Sequence, residues 1–257
     1  MKKIIDLSVT IENGVNADPP GLTPRITYSD HNVMAPVMAG FFPGVTPQDF
    51  PDAEGWAVEE VTLTTHAGTH MDAPWHYAST MNHGERAATI DEIPLDWCFR
   101  PGVKLDFRHF PDGYVVTADD VEQELGRIQH TLNPLDIVLV NTAAGMAYGK
   151  DHYINTGCGM GRETTLYLLE RGVRVTGTDG WSWDVPFKFM SAQFAKDGDT
   201  QAIWQGHRVG RDIGYCHMEK LHNLESLPDS GFTVACFPVK IHAASAGWTR
   251  AVAIIEE

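Results

Sequence analysis

The 257-residue chain predicts an α/β fold in a single domain, residues 1–257, built on a mixed sheet. Three observations predict it. Short β-branched runs alternate with amphipathic segments of helical spacing. DIVLVNT (136–142) is apolar almost throughout, as a strand buried on both faces must be. No repeat, low-complexity tract or linker divides the chain.

KKIIDLSVTI (2–11) reads as a first strand, and it lacks the long apolar stretch of a signal peptide. Residues 13–55 are rich in Pro and Gly, as in NADPPGLTPR and MAGFFPGVTPQDFPDAEG. They are expected to form a long irregular section, serving as a lid, a binding element or a subunit contact. WAVEEVTLTT (56–65), GVKLDF (102–107) and DIVLVNT are further strands. Between the last two, TADDVEQELGRI reads as a helix capped by Thr117, with Val121, Leu125 and Ile128 on one face. RETTLYLLERG (162–172) is a second helix stopped by Gly172, and VRVTGTD follows as a strand. HMEKLHNLESL (217–227) reads as a short helix, and FTVACFPVK and RAVAIIE as closing strands. Strand order is not legible at this level.

The formal net charge is -15, from 19 basic and 34 acidic residues. That excess repels phosphate backbones and anionic membrane surfaces, which excludes nucleic acid and membrane as partners. No apolar run approaches the ~18 residues of a membrane span. Cys98, Cys158, Cys216 and Cys236 form no CxxC pair and are expected as reduced, buried thiols of a cytoplasmic protein.

The chemistry concentrates in HAGTHMDAPWHY (66–77), which gathers His66, His70, Asp72 and His76. Imidazole and carboxylate ligands must converge on a metal at about 2.0–2.2 Å. A straight strand would hold His66 and His70 ~13 Å apart. A helix would align those two histidines but turn Asp72 away. A strand end curling at Gly68 resolves the conflict, with His70 and Asp72 on one face and His66 folding back. Satisfied loop histidines would explain one such residue; four in this spacing point to a metal site.

This stretch resembles the cyclase-like metal-dependent hydrolases, which include bacterial kynurenine formamidases and isatin hydrolases. Their H-x-G-T-H-x-D-x-P-x-H pattern is complete here. The resemblance implies a swivelling β/β/α fold and a divalent metal on His66, His70 and Asp72, with Mn2+ expected and Zn2+ as the alternative. It also implies a catalytic role for His76 and a homodimer or higher homo-oligomer. GCGMGRETTLYLLERGVRVTGTDGWSWD, GHRVGRDIGYCHMEKLHN and FPVKIHAASAGWTRAVAII are similar to isatin hydrolases in particular. A second cluster holds His207, His217, Glu219 and His222. His207 and Glu219 are spaced as in formamidases with two metals, where the aspartate bridges; in isatin hydrolases, described with one manganese, they would orient ligands or relay protons.

GCGMGRETTLYLL departs from G-x-G-x-x-G and has no strand directly before it, so a dinucleotide fold is excluded. Phe41, Phe42, Trp75, Trp181 and Trp183 sit beside Gly- or Pro-marked bends, and Trp75 lies inside the ligand motif. Phe41, Phe42, Trp75 and Trp181 are expected to face a flat substrate, with Phe187 and Phe189 in the core. The expected activity is metal-dependent opening of the lactam C–N bond of an aryl-fused cyclic amide, isatin to isatinate. N-formylkynurenine is the alternative substrate, and a metal or small-molecule binding protein is the non-enzyme alternative. Structural zinc sites are closed by four ligands, often Cys. No cysteine lies near this motif, which favours catalysis.

Overall fold

An apolar strand that hides both faces belongs in the middle of a sheet, and Ile137–Asn141, buried at every position, lies there. The structure, a computed structural model, describes residues 1–256. The first part of the chain forms β1 (Lys2–Asp6), β2 (Arg25–Ser29), α1 (His31–Ala39), β3 (Val58–Thr62), β4 (His70–Asp72) and the single turn α2 (Pro74–Tyr77). A small pair, β5 (Thr80–Met81) and β6 (Glu85–Arg86), precedes β7 (Phe99–Asp106), β8 (Val115–Val116), α3 (Ala118–Arg127), β9 (Ile137–Asn141) and β10 (Gly159–Met160). Then come α4 (Arg162–Glu170), β11 (Val175–Thr178), α5 (Phe187–Asp197), α6 (Gln205–Arg208) and β12 (Cys216–Glu219). β13 (Phe232–Ala235), β14 (Ala246–Trp248) and β15 (Val252–Glu256) close the fold.

Nine strands make one mixed sheet in the order β1-β15-β13-β7-β9-β11-β12-β4-β14. The central four, β7, β9, β11 and β12, run parallel. The outer neighbours pair antiparallel. Side chains of β9 alternate between two cores. Ile137 and Leu139 join Met71, Met218, Phe232 and Val234, inside the curl of the sheet. Val138 and Val140 pack with Val103, Leu105, Leu125 and Leu168, beneath α3 and α4. Each such burial contributes roughly 1.5–3 kcal/mol relative to exposure.

Both expected helices form. Thr117 caps α3 by accepting the Asp120 amide at 3.2 Å, while the Asp120 carboxylate accepts the Thr117 amide at 2.8 Å. Gly172, at φ +89, follows the end of α4 in the left-handed region that suits glycine.

Three expectations need correction. Residues 13–55 are not wholly irregular, because β2 and α1 lie within them. Asp30 starts α1 by accepting the amides of Asn32 and Val33 at 3.0 and 2.9 Å. Pro36 lies inside that helix and only Ala35 and Ala39 are buried, so its apolar spacing is faint in the sequence. HMEKLHNLESL is not a helix: β12 ends at Glu219, and only Leu224–Ser226 makes a short turn. Ladder bonding between β11 and β4 holds that segment extended and outweighs its helical composition. The first strand stops at Asp6, and Ser8 keeps only an isolated bridge to Leu221. WAVEEVTLTT supplies β3, which pairs with β2 alone and is exposed along its length.

Candidate metal centre and active site

The register of β4 against β12 builds the centre. His70 lies opposite Glu219, and Asp72 opposite His217. Side chains alternate along a strand, so these four share one face while Met71 and Met218 point into the core behind. His66 reaches the same place because the chain curls at Gly68, whose φ is +62. Thr69 pins that curl by donating its hydroxyl to the Lys220 carbonyl at 2.6 Å. Lys220 returns the link: its ammonium donates to the His66 carbonyl at 2.9 Å and to the Asp18 carboxylate. His76 comes from α2, begun by Pro74. His207 comes from α6, where Asp184 accepts the amides of Gly206 and His207 at 2.7 and 3.1 Å.

Donor atoms converge around Asp72. His66 Nδ1 lies 2.8 Å and His70 Nε2 3.3 Å from its Oδ1. His217 Nε2 lies 3.2 Å and His76 Nε2 3.9 Å from its Oδ2. Glu219 joins through Oε2, 3.6 Å from His70 Nε2, and through Oε1, 3.1 Å from His217 Nε2 and 3.5 Å from His207 Nε2. His70 donates its Nδ1–H to the Gly68 carbonyl at 2.9 Å, which leaves Nε2 an acceptor aimed at carboxylate oxygens. His70 Nε2 and both Asp72 oxygens are buried and have no aligned hydrogen-bond partner among the described residues. Buried acceptors facing one another require a cation between them. The nitrogen and oxygen donors therefore fit a divalent metal.

Two groups of ligand atoms meet at Asp72: His66, Asp72 and His76 form one, and Asp72, His207, His217 and Glu219 the other. His70 touches both Asp72 and Glu219 without belonging to either tight group. Burial opposes ionisation of Asp72, yet the ring of imidazoles around it holds its carboxyl well below the usual range. Burial likewise opposes ionisation of Glu219, and the imidazoles of His207 and His217 beside it overcome that effect. Burial pushes His217 down, but Asp72 and Glu219 outweigh it and raise it to about 9. His76 is the exception: burial lowers it to about 4, so its ring is neutral near pH 7.

A cavity of about 270 Å3 opens on this centre, walled by Trp181, Phe187 and Trp204. Trp204 stacks on His207, with ring centroids 4.2 Å apart, and meets His76 edge-on at 5.1 Å. Trp181 is steadied by Asp18, which accepts its indole N–H at 3.0 Å. Trp183 lies behind the site, buried, and with Tyr77 it sandwiches the His217 ring.

The sequence-based site is thus partly assembled. His66, His70, Asp72, His76, His207 and Glu219 come together, and Trp181 lines the cavity. Trp75, Phe41 and Phe42 are not among the described residues that line it. Successive residues of a helical turn point about 100° apart, so with His76 turned inward Trp75 is left 42% exposed. Phe41 and Phe42 are exposed, and Phe41 packs on Trp56. Phe187, expected in the core, lines the cavity instead. His222 stays outside, near Tyr148. The sequence reading gave no role to His217, Asp184, Lys220 or Trp204. One signal was available for the first: His217-Met218-Glu219 repeats the His70-Met71-Asp72 pattern of the strand beside it. Nothing local marks Asp184, which acts on His207 across 23 residues, or Trp204, whose entry depends on a left-handed turn.

Histidines and carboxylates around a shared aspartate, at the floor of an aromatic cavity on a mixed α/β fold, define a metal-dependent hydrolase. Comparison with known proteins agrees. The chain belongs to the putative cyclase family, whose model matches residues 5–185. It is 27% identical over 240 residues to a kynurenine formamidase of Paracidovorax citrulli, covering 90% of this chain and 97% of that protein. Its fold is similar to that of an isatin hydrolase bound to the product analogue thioisatinate, with a TM-score of 0.76 and 16% identity, over 100% of this chain and 93% of that one. Isatin hydrolase A from Labrenzia aggregata, bound to benzyl benzoate, is similar at a TM-score of 0.75 and 21% identity, over 100% and 94% of the two chains.

Proposed function

We propose that the protein opens the lactam C–N bond of an aryl-fused cyclic amide, with isatin the leading substrate and isatinate the product. The observation that carries this is the aromatic wall of Trp181, Phe187 and Trp204 standing directly over His66, His76 and His207. A flat bicyclic ring fits between such walls. The second reading is hydrolysis of N-formylkynurenine, an open-chain aryl formamide, and it is favoured by the formamidase relative.

In this reading His66, His70 and Asp72 hold the metal, Mn2+ with Zn2+ as the alternative. His217 approaches the other oxygen of Asp72, and Glu219 orients His217 and His207 in turn. When bound, the metal polarises the amide carbonyl and lowers the pKa of water. His76 is neutral near pH 7 and directs Nε2 towards the centre, so it takes the proton of the attacking water there. Water adds to the carbonyl carbon, the C–N bond breaks, and the proton passes from His76 to the departing nitrogen. The products are an arylamine and a carboxylate. Trp181 and Trp204 hold the ring and exclude bulk water.

We read residues 1–257 as one unit because β1 and β15, from the two ends of the chain, pair in the same sheet. Assembly as a homo-oligomer is supported by the β2–β3 ribbon, which leaves Tyr28 and Val61 exposed, and by the exposed Phe41–Trp56 pair. Four free, buried cysteines suit a reducing cytoplasm. Among the described residues no helix is long and apolar enough to cross a membrane.

The test is an assay of the metal-reconstituted protein against isatin and N-formylkynurenine side by side. Turnover of isatin that chelator removes and Mn2+ restores is expected. A much higher kcat/KM for N-formylkynurenine would transfer the assignment to that substrate. Bound metal with turnover of neither would favour a non-catalytic binding protein.

A further inference from the structure

Beside the catalytic cavity lies a second, larger one of about 410 Å3. The two share Phe187 and Trp204, so the same indole that stacks on His207 also forms a wall of this annex. Met190, Ser191, Phe194 and Ile203 complete an almost wholly apolar lining, with Arg208 as its single charged side chain. The helix α5, which supplies most of it, buries only Met190. Phe187 and Phe194, two turns apart on one face of that helix, remain 49% and 42% exposed and both line the cavity.

We infer that the annex is a substrate subsite, taking an apolar aryl or alkyl substituent carried by the amide whose reacting end sits at Asp72. Three features lead there. Large apolar side chains left open to solvent around a concavity mark a binding surface. Continuity through Phe187 and Trp204 makes the occupant part of the molecule already held in the first cavity. The first cavity alone, about 270 Å3, is smaller than the ~300–1,000 Å3 usual for sites that enclose an organic ligand; with the annex it falls within that range. Trp204 is the hinge of this arrangement, held in the left-handed region at φ +59 with its amide on the Met190 sulfur at 3.1 Å. A substituted isatin would therefore fill both cavities, whereas isatin itself occupies the first alone. The inference rests on the hydrolase reading only for the position of the reacting end.

Calorimetry on the Mn2+-loaded protein with benzoate and biphenyl-4-carboxylate tests the subsite independently of turnover. The carboxylate stands in for that of the product, and the second ring should extend into the annex. Burying one more ring should tighten binding on the order of tenfold or more. Ser191→Trp, at an exposed helical position, fills the annex; it should abolish that gain and leave benzoate binding unchanged. Phe194→Ala should reduce the gain without filling anything, which guards against misfolding of the first variant. In parallel, isatins carrying one phenyl group at each ring position are assayed beside isatin. At least one should show about tenfold lower KM in the wild type and lose the advantage in Ser191→Trp. A second ring that adds no affinity, or a gain that survives Ser191→Trp, overturns the subsite. So does sedimentation showing that Ser191→Trp dissociates an oligomer while the second ring adds nothing, since a second copy then covers the annex. Biphenyl selectivity without turnover of any cyclic amide would leave the subsite standing and remove the lactam reading alone.

Discussion

Replacing Asp184 by Asn probes how far the active site depends on one buried carboxylate outside the ligand set. Its Oδ1 accepts the Gly206 amide at 2.7 Å, and its Oδ2 accepts both the His207 amide at 3.1 Å and His207 Nδ1 at 2.5 Å. The carboxylate therefore starts α6 and fixes the proton of His207 on Nδ1, leaving Nε2 free to face Glu219. Asparagine keeps one acceptor oxygen and places an amide donor at the other position. Whichever way it turns, a buried N–H meets a donor, a mismatch worth about 1–3 kcal/mol. For a chain of this size that lowers Tm by roughly 2–10 °C. If the amide nitrogen takes the place of Oδ2, His207 must move its proton to Nε2 and turns a donor on the metal centre. Loss of such a supporting carboxylate lowers metal affinity or turnover by about 10–100-fold. The assays are thermal unfolding of the apo protein, metal titration, and kcat/KM. A variant that melts early but keeps wild-type metal affinity and turnover would refute the argument that Asp184 acts through His207.

His70→Ala should strip most of the metal while the apo protein stays folded, because the ladders that hold β4 between β12 and β14 are made by backbone the substitution leaves in place; elemental analysis of the purified variant decides, and full occupancy would sink the ligand assignment. His76→Ala should keep the metal and lose about 10²–10⁴-fold in kcat; near-normal turnover would remove its role in proton transfer. Trp181→Ala should raise KM whereas Trp75→Ala should not, since only Trp181 lines the cavity; equal effects in parallel kinetics would contradict the described geometry. Burial raises Asp179 to about 7, against the opposing hydrogen bonds from Thr142. Between about pH 4 and pH 7 the folded state then binds more protons than the unfolded state, so stability falls as pH rises through that window and levels off above it. The change amounts to at most about 4 kcal/mol. Asp179→Asn should flatten the profile, and urea midpoints at pH 5 and pH 8 that shift equally in both proteins would contradict it.

Local order in the amino-acid sequence determined the elements whose signals are local. The Thr117 cap and the spacing of Val121 and Leu125 specify α3, and the apolar run 137–141 specifies a buried strand. Gly68 permits the curl that brings His66 back beside Asp72. Those residues were legible as a cluster because they lie within eleven residues and geometry left few ways to make them converge. The tertiary structure alone decided the rest. His217 is a neighbour of Asp72 only because β12 pairs with β4 in one register, and sliding that pairing by one residue would bury the methionines' face outward instead. Asp184 reaches His207 across 23 residues, and Trp204 enters the site by a left-handed turn that its own sequence does not favour. Trp75 lies outside the cavity for the same reason: adjacency to His76 in the chain says nothing about direction, which on a helical turn differs by about 100° from one residue to the next.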